Sequence, residues 1–412
     1  MPSNQNLTTA KREKSAEFYT RWPDIEAEVN AYLEYNPDVF RDAVVLCPAD
    51  DPFESNFFKF FATHFNDFGL KKLISTSYDP SPIVNTQIQL SLFDEKDNDR
   101  KSTRKISKAY KIELTDVSDF DENGRVNIQD VEDMLVEERK KISRGQKSSI
   151  LSYLEPDEKY SAGDFRSKQV TALRDQADFI VTNPPFFLFR DFMAWANPLK
   201  RKVLLIGNLN AITYKEVFPI IKENKLWLGV TNFNQGMYFY VPDDFEYKKS
   251  YHFEREMEGR KVNRVPAVCW FTNIDHGRRH QPMQLMTAED NKRFSKHKNI
   301  RGHGYPHYSN YDGIDIPYAD SIPSDYDGAM GVPVTFLNRY DPDQFEIIGC
   351  ADYTGKYGSD EMGIGRIGDE WMKKYREQGG RGHYTANMTS LVYFDDEGNA
   401  CNTYKRIVIH KK

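Results

Sequence analysis

Residues 178–190 read DFIVTNPPFFLFR, and no other stretch limits the fold so tightly. Phe179–Thr182 form an unbroken apolar or β-branched run, the pattern of a parallel strand buried on both faces. The run stops at Asn183-Pro184-Pro185-Phe186. Two consecutive prolines stiffen the backbone and offer carbonyls without competing N–H donors. An Asn side chain and an aromatic ring then follow just past the carboxyl end of a strand, the edge at which open α/β sheets bind ligands. The alternative is a strand that simply ends in a proline-stiffened turn.

The chemistry suited to this arrangement is methylation of an exocyclic amino group. A planar aromatic amine is a poor nucleophile because its lone pair is delocalised into the ring. Two acceptors on its two hydrogens, the Asn183 side-chain oxygen and the Pro184 carbonyl, would draw the nitrogen toward tetrahedral geometry. Pro185 holds the turn, and Phe186 offers a face for a base that must leave the duplex before such chemistry. Asn-Pro-Pro-aromatic after an apolar strand marks amino-group methyltransferases that use S-adenosylmethionine. By itself it does not choose among adenine, guanine and glutamine side-chain amides.

The 412 residues are enough for two or three domains. Aromatic residues make up 14% and charged residues 29%, which fits real cores in a soluble protein. No apolar run approaches the ~20 residues that cross a bilayer, so no membrane association is expected, and the polar N-terminus does not read as a secretory signal. The four cysteines lack C-x-x-C spacing, which argues against a disulfide framework or zinc site and fits a cytoplasmic protein. The net charge of −6 mildly opposes nucleic-acid binding, but charge is unevenly spread. Residues 94–138 are acidic, whereas 291–310 carry Lys292, Arg293, Lys296, Lys298 and Arg301 with no acidic residue.

Apolar spacing predicts a helix over 15–35, a strand over 44–47, a helix capped by Ser55 and running to about Phe65, and a strand over 72–77. Strand, helix, strand is the signature of a parallel sheet. Polar residues 80–160 interrupt it as an insertion with a strand-like piece at 109–114. Helix 167–176, the Asn-Pro-Pro strand, helix 189–195, strand 202–207, helix 212–222 and strand 226–230 resume the pattern. Beyond about 240, aromatics, Gly, Pro, Asp and Arg predict a loop-rich, mostly β domain. The expected fold is thus α/β, a Rossmann-like core over 1–240 followed by a second domain over 241–412.

Four segments together resemble the EcoRI-type family of adenine-specific DNA methyltransferases: Glu17-Phe18-Tyr19-Thr20, residues 47–56 (CPADDPFESN), residues 163–167 (GDFRS), and residues 181–190 with 205–216 (LIGNLNAITYKE). Weaker similarity returns at 305–316, 345–349 and 404–409. The resemblance implies a methyltransferase domain followed by a target-recognition domain. It implies that Phe18, Tyr19 and Thr20 line the methionine end of S-adenosylmethionine. Asp50, Asp51 and Pro52 match the loop after the first strand, where a carboxylate can take the donor's ammonium group. Asp164 and Phe165 match the loop at the donor's adenine, and Asn183, Pro184 and Phe186 match the amine site. Two features depart from the wider methyltransferase pattern. Asp79 is only a loose match to the carboxylate that grips ribose, and the Gly-rich turn after the first strand is missing.

Residues 119–130 (DFDENGRVNIQD) fit a calcium loop of the EF-hand kind. Asp119, Asp121, Asn123 and Asp130 stand at ligand positions, Arg125 at the backbone-carbonyl position and Gly124 at the turn. The competing reading is an acidic hairpin without metal. Residues 291–310 combine cations with Phe294, Tyr305 and Tyr308, as phosphates and splayed bases require; a solvated loop is the plain alternative. Arg381, beside Gly379 and Gly380, could read guanine from a groove. The expected DNA contacts are therefore Lys296, Lys298, Arg301, Tyr305 and Arg381.

Together these features predict a site-specific adenine N6-methyltransferase that flips its target out of double-stranded DNA, with a cognate restriction endonuclease as a partner. An RNA guanine N2-methyltransferase and a catalytically silent DNA-binding protein on the same fold are the alternatives.

Overall fold

The computed structural model describes residues 18–78, 109–120, 122–231, 233, 235–351 and 359–412. The expectations placed on Ser15, Glu17, Asp79 and Asp121 lie outside them.

Tyr19–Thr20 (β1) are extended, and the helix expected from residue 15 begins instead at Trp22 (α1, Trp22–Tyr35). Pro23 explains the difference. A proline is tolerated in the first turn, but deeper in a helix it removes a hydrogen bond and clashes with the carbonyl four residues back. Val44–Cys47 (β2) is fully buried. Ser55 caps Asn56–Thr63 (α2), its side chain accepting from the N–H groups of Phe57 and Phe58 at 3.0 and 3.3 Å. Phe57, Phe58, Phe60 and Phe61 are all buried. The helix ends two residues before Phe65; turns and Gly69 at φ +61° lead into Lys72–Thr76 (β3).

The insertion joins the sheet. Tyr110–Leu114 (β4) pairs antiparallel with β3, and Leu151–Tyr153 (β5) with β4. Between them Ile128–Ser143 (α3) packs on α2, with Lys59 and Glu132 paired at 2.8 Å. Then come Lys168–Gln176 (α4), Phe179–Thr182 (β6), Phe189–Ala196 (α5) and Lys202–Asn208 (β7), close to expectation. The helix expected over 212–222 is shorter. A 3-10 turn covers Leu209–Thr213, and Pro219 confines the α-helix to Phe218–Lys222 (α6). The strand expected over 226–230 is only Trp227–Leu228 (β8). Met237–Tyr240 (β9), Glu256–Met257 (β10), Arg260–Val265 (β11) and Val268–Thr272 (β12) follow.

The described chain divides into two compact units, Met1–Asn208 with Thr231–Ile274 and Leu209–Val230 with Asp275–Lys412. In the first, the main sheet runs β5-β4-β3-β2-β6-β7-β12. β2, β3, β6 and β7 are parallel, and β12 returns antiparallel to β7. A smaller sheet runs β1-β9-β11-β10. One apolar cluster, from Ile25 through Phe57 and Val181 to Trp270, underlies the unit. This is a mixed α/β architecture consistent with a Rossmann-like methyltransferase fold.

The second unit is rich in β-structure and loops. Gly313–Asp315 (β13), Ala329–Pro333 (β14) and Phe345–Ala351 (β15) combine with Arg406–Lys411 in the order β13-β14-(406–411)-β15. A buried Arg406–Asp315 pair at 2.8 Å, to which Tyr308 Oη also donates at 2.7 Å, fixes its centre. Tyr308 is therefore structural, not a stacking platform. No helix among the described residues is long and apolar enough to cross a membrane.

The described residues of the loop at 119–130 turn their side-chain oxygens to backbone N–H groups. Asp119 accepts from the N–H groups of Asn123 and Gly124, and Asn123 Oδ1 accepts from Arg125 N. Asp130, 1% exposed, accepts from Phe120 N and Asn127 N, both at 2.8 Å, while Asn127 Oδ1 accepts from Gln129 N. The last two contacts form a reciprocal cap on α3. Among the described residues no group of three or more His, Cys, Asp or Glu side chains is gathered to hold a metal ion. Asp130→Ala should therefore destabilise the fold by about 1–2 kcal/mol, as loss of a buried cap does, read as a lower urea midpoint at unchanged slope.

Candidate active site

The carboxyl ends of β2, β3 and β6 lie side by side, and the loops leaving them carry the expected residues. β6 is held in register at its other end by Asp178, which donates from N to Val44 O at 2.9 Å and accepts from Val44 N through its carboxylate at 2.8 Å. At the carboxyl end Thr182 Oγ1 donates to Pro48 O at 3.1 Å, tying the loops after β2 and β6 together.

Asn183 follows. Its Nδ2 donates to Phe18 O at 3.0 Å. A carbonyl can only accept, so this bond fixes which end of the amide faces Phe18 and turns Oδ1 the other way. Asn183 Oδ1 is buried and has no hydrogen-bond partner. A buried acceptor left unpaired costs about 1–3 kcal/mol, a cost that a ligand N–H would remove. Pro184 is buried, while Pro185 and Phe186 are half-buried, Phe186 packing on the apolar cluster; the next ring, Phe187, is 68% exposed.

The N-terminal segment crosses this edge. Tyr19 and Thr20 pair with Tyr240 and Phe239 of β9, and Phe18 meets Phe239 edge-on at 5.9 Å. Asn56 Nδ2 donates to Thr20 O at 2.7 Å, and Thr20 Oγ1 is another buried oxygen without a partner. Sequence reasoning passed over Asn56, although it closes the CPADDPFESN segment.

After β2, Ala49 takes φ +54°, the left-handed conformation usually left to glycine. This is the turn that the missing Gly-rich motif would have made. Asp50 N donates to Thr76 O at 2.8 Å, and Ser55 Oγ donates to the Asp50 carboxylate. Burial pushes the Asp50 carboxyl up to about 7; the Ser55 bond opposes the shift and neighbouring Asp51 adds to it. Asp51 accepts from Phe53 N at 3.0 Å and from Tyr110 Oη at 2.7 Å, and Pro52 is buried beside them. Tyr110 comes from the insertion, and nothing in its sequence marked it. Cys47, one turn earlier, is buried with its thiol pushed well up by burial, an inert filler.

Gly163 approaches the end of β3 so closely that an added Cβ would lie 2.0 Å from Ser77 O, and its φ is +75°. Only glycine fits there. Asp164 and Phe165 are thereby placed beside the same strand ends, but both are engaged. Asp164 is bound bidentately by Arg166 at 3.0 and 2.7 Å, and Phe165 is buried edge-on to Phe192 and Trp195.

The residues expected to meet DNA are in the other unit. Lys296 pairs with Asp320 at 2.7 Å, Lys298 and Arg301 are exposed, and Tyr305 Oη donates to Ser321 O. Arg381 is exposed on a loop that Arg376 braces from below, donating to Gly380 O and Gly382 O at 2.9 and 3.0 Å.

The model of one protein family, described as adenine-specific methyltransferase EcoRI, matches residues 6–412. The chain belongs to this family. Among curated relatives it is 37% identical over 349 residues to the type II methyltransferase M.EcoRI of Escherichia coli, covering 84% of this chain and 89% of the relative. It is 32% identical over 343 residues to the type II methyltransferase M.MpnI of Mycoplasma pneumoniae, covering 83% and 84%. No solved structure gives a significant match. Membership in the EcoRI-type family supports an S-adenosylmethionine-dependent, DNA-directed methyltransferase. The residues present fit such a donor: the Asp50 carboxylate, on the loop after β2, suits its ammonium group.

Asp50 gives a pH signature. Its folded-state pKa, about 7, lies above the ordinary ~4 of a carboxyl. Its contribution to stability is therefore full below pH 4 and is lost as pH rises through 7. Wild type should lose on the order of a few kcal/mol over that window relative to Asp50→Asn, measured by paired urea unfolding curves from pH 4 to 8 without ligand.

Proposed function

We propose that the chain is a site-specific adenine N6-methyltransferase acting on a base extruded from double-stranded DNA. The observation that carries this reading is the buried, unpartnered Oδ1 of Asn183 at the end of β6. S-adenosylmethionine supplies a methyl group already activated on a sulfonium. Asp50 takes the donor's ammonium group, Phe18, Tyr19 and Thr20 flank its methionine end, and Asp51 and Pro52 shape the loop. Asp164 reaches the adenine end only by sharing its carboxylate with Arg166, and Phe165 supports that loop from within. Asn183 Oδ1 and Pro184 O accept the two hydrogens of the target amine, and Phe186 walls the base pocket. No protein nucleophile is needed, because the methyl group passes directly from the sulfonium to the amine. The family favours adenine over guanine, and an unpaired acceptor kept buried at the motif argues against a silent binding protein.

We expect catalysis in residues 1–240 and target recognition in 241–412, with 241–274 continuing the first compact unit and 209–230 lying in the second. Lys298 and Arg301 reach phosphate most freely, Lys296 after release from Asp320, with Tyr305 buttressing the loop. Arg381 reads a base edge from its braced loop. The relatives are named type II methyltransferases, and on that ground a cognate restriction endonuclease is proposed as partner, with action in the cytoplasm.

Asn183→Ala should lower the rate of methyl transfer by about 10²–10³, as loss of one preorganised polar contact does, with DNA affinity retained because phosphates supply most of it. Transfer of labelled methyl to DNA beside a filter-binding isotherm measures both, and near-normal turnover would overturn the assignment. Neutralising Lys298 and Arg301 together should reduce the slope of log K against log salt by about 2 on any sequence. Arg381→Ala should instead relax preference at one position, seen by sequencing modified bases.

A further inference from the structure

The hairpin between β9 and β12 carries a ladder of rings that starts at the catalytic motif. Phe18, whose carbonyl holds Asn183, meets Phe245 at 6.3 Å. Phe245 meets Tyr247 at 5.3 Å, Tyr247 meets Tyr251 at 4.7 Å, and Tyr251 meets Phe253 at 5.8 Å. The last ring, Phe253, is 50% exposed. The inner rings are pinned by their hydroxyls. Tyr247 Oη donates to Val262 O at 2.7 Å, and Tyr251 Oη donates to Glu254 O at 2.8 Å and accepts from Arg264 N at 2.9 Å.

Cations lie over these rings. The Arg255 guanidinium stands 4.9 Å and the Lys261 ammonium 5.4 Å from the Tyr247 ring centre; the Arg264 guanidinium stands 4.3 Å from that of Phe253. Residues 248–264 hold six Lys and Arg against three Glu in a chain whose net charge is −6. One of those three, Glu258, is already paired with Arg21 at 2.6 Å. Residues 248–264 are therefore a basic, ring-studded stretch on an acidic protein, set off from Asp243, Asp244 and Glu246 at the start of the hairpin and linked through Phe245 to Phe18. Phe253 touches Tyr251 and Arg264 on its covered side and leaves the other half of its surface to solvent. Rings that stack on bases, interleaved with cations for phosphates, are how proteins hold unpaired nucleic-acid strands.

We propose that this hairpin holds the target strand beside the extruded base, with Phe253 stacking on the neighbouring base, Arg255 meeting an adjoining phosphate, and Lys261 and Arg264 doing so on release from the carbonyls of Asp243 and Gln235, to which they donate. The inference rests on the DNA-methyltransferase reading above. Stacking on one ring is worth about tenfold in population of the extruded state. Such an effect is needed when the base must leave an intact stack and is dispensable when the base is already unpaired.

The test compares wild type, Phe253→Ala and Phe253→Trp with the full chain, on duplexes carrying the target adenine either paired or opposite an abasic site, and on a duplex with 2-aminopurine at the target. On the paired duplex Phe253→Ala should lose about tenfold in methylation rate and most of the 2-aminopurine fluorescence rise. It should lose less than about twofold opposite the abasic site, and Phe253→Trp should restore both signals. Equal losses on both duplexes, or no loss with Phe253→Ala, overturn the platform. A melting temperature more than a few degrees below wild type for Phe253→Ala would mean that the ring is structural, which also overturns it. If wild type transfers no methyl group to either duplex, the failure belongs to the DNA-methyltransferase reading itself.

Discussion

The structure depends first on the register of β6 between β2 and β7. That strand is four residues long and fully buried, so a slip of one residue would reverse every side chain. Asp178 prevents it by exchanging two hydrogen bonds with Val44 and accepting from Lys202 N at 2.9 Å, which locks three strands at their amino ends. With the amino end fixed, the carboxyl end is fixed too. Thr182 meets Pro48, Asn183 meets Phe18, and a segment from the start of the described chain comes to lie against the middle of it. The Asp that opens DFIVTNPPFFLFR thus matters to this edge as much as the Asn that follows the strand.

What was legible in the sequence followed from local rules. Apolar or β-branched runs marked β2, β6 and β7 almost residue for residue, as strands buried on both faces require, and β3 was found from its Leu73-Ile74 pair although Ser75 and Thr76 are buried too. Ser55 and Ser167 were readable as helix starts because a cap is a local bond. The failures are of two kinds. Pro23 and Pro219 shortened α1 and α6, and a stricter use of proline geometry would have found both. The second kind needs tertiary structure. Tyr110 reaches Asp51 across 59 residues, and Glu28 accepts from Thr231 across 203; no spacing rule reports such partners. The fully buried Glu28, on the inner face of α1 beside Tyr32, would have been placed in solvent by its charge alone.

The site was legible in outline for the same reason. Motifs name the loops at strand ends, and the sheet brings the loops together. What a motif cannot name is what each side chain is already doing. Asp164 and Phe165 lie on a loop beside the strand ends, where one is held by Arg166 and the other packs inward. Asn56 and Ser55, unremarked as site residues, support Thr20 and Asp50 directly.

The costs in this unit are concentrated at one edge. Ala49 holds a left-handed backbone, Asn183 Oδ1 and Thr20 Oγ1 are buried without partners, and Asp50 is a carboxyl whose charge is disfavoured by burial. Each of these is destabilising taken by itself. They lie on loops that leave neighbouring strand ends, the edge at which open α/β sheets bind ligands. The apolar cluster beneath, with its packed Phe and Trp side chains, offsets that local cost. Polar atoms held in place at strand ends by such packing need little reorganisation when a partner meets them.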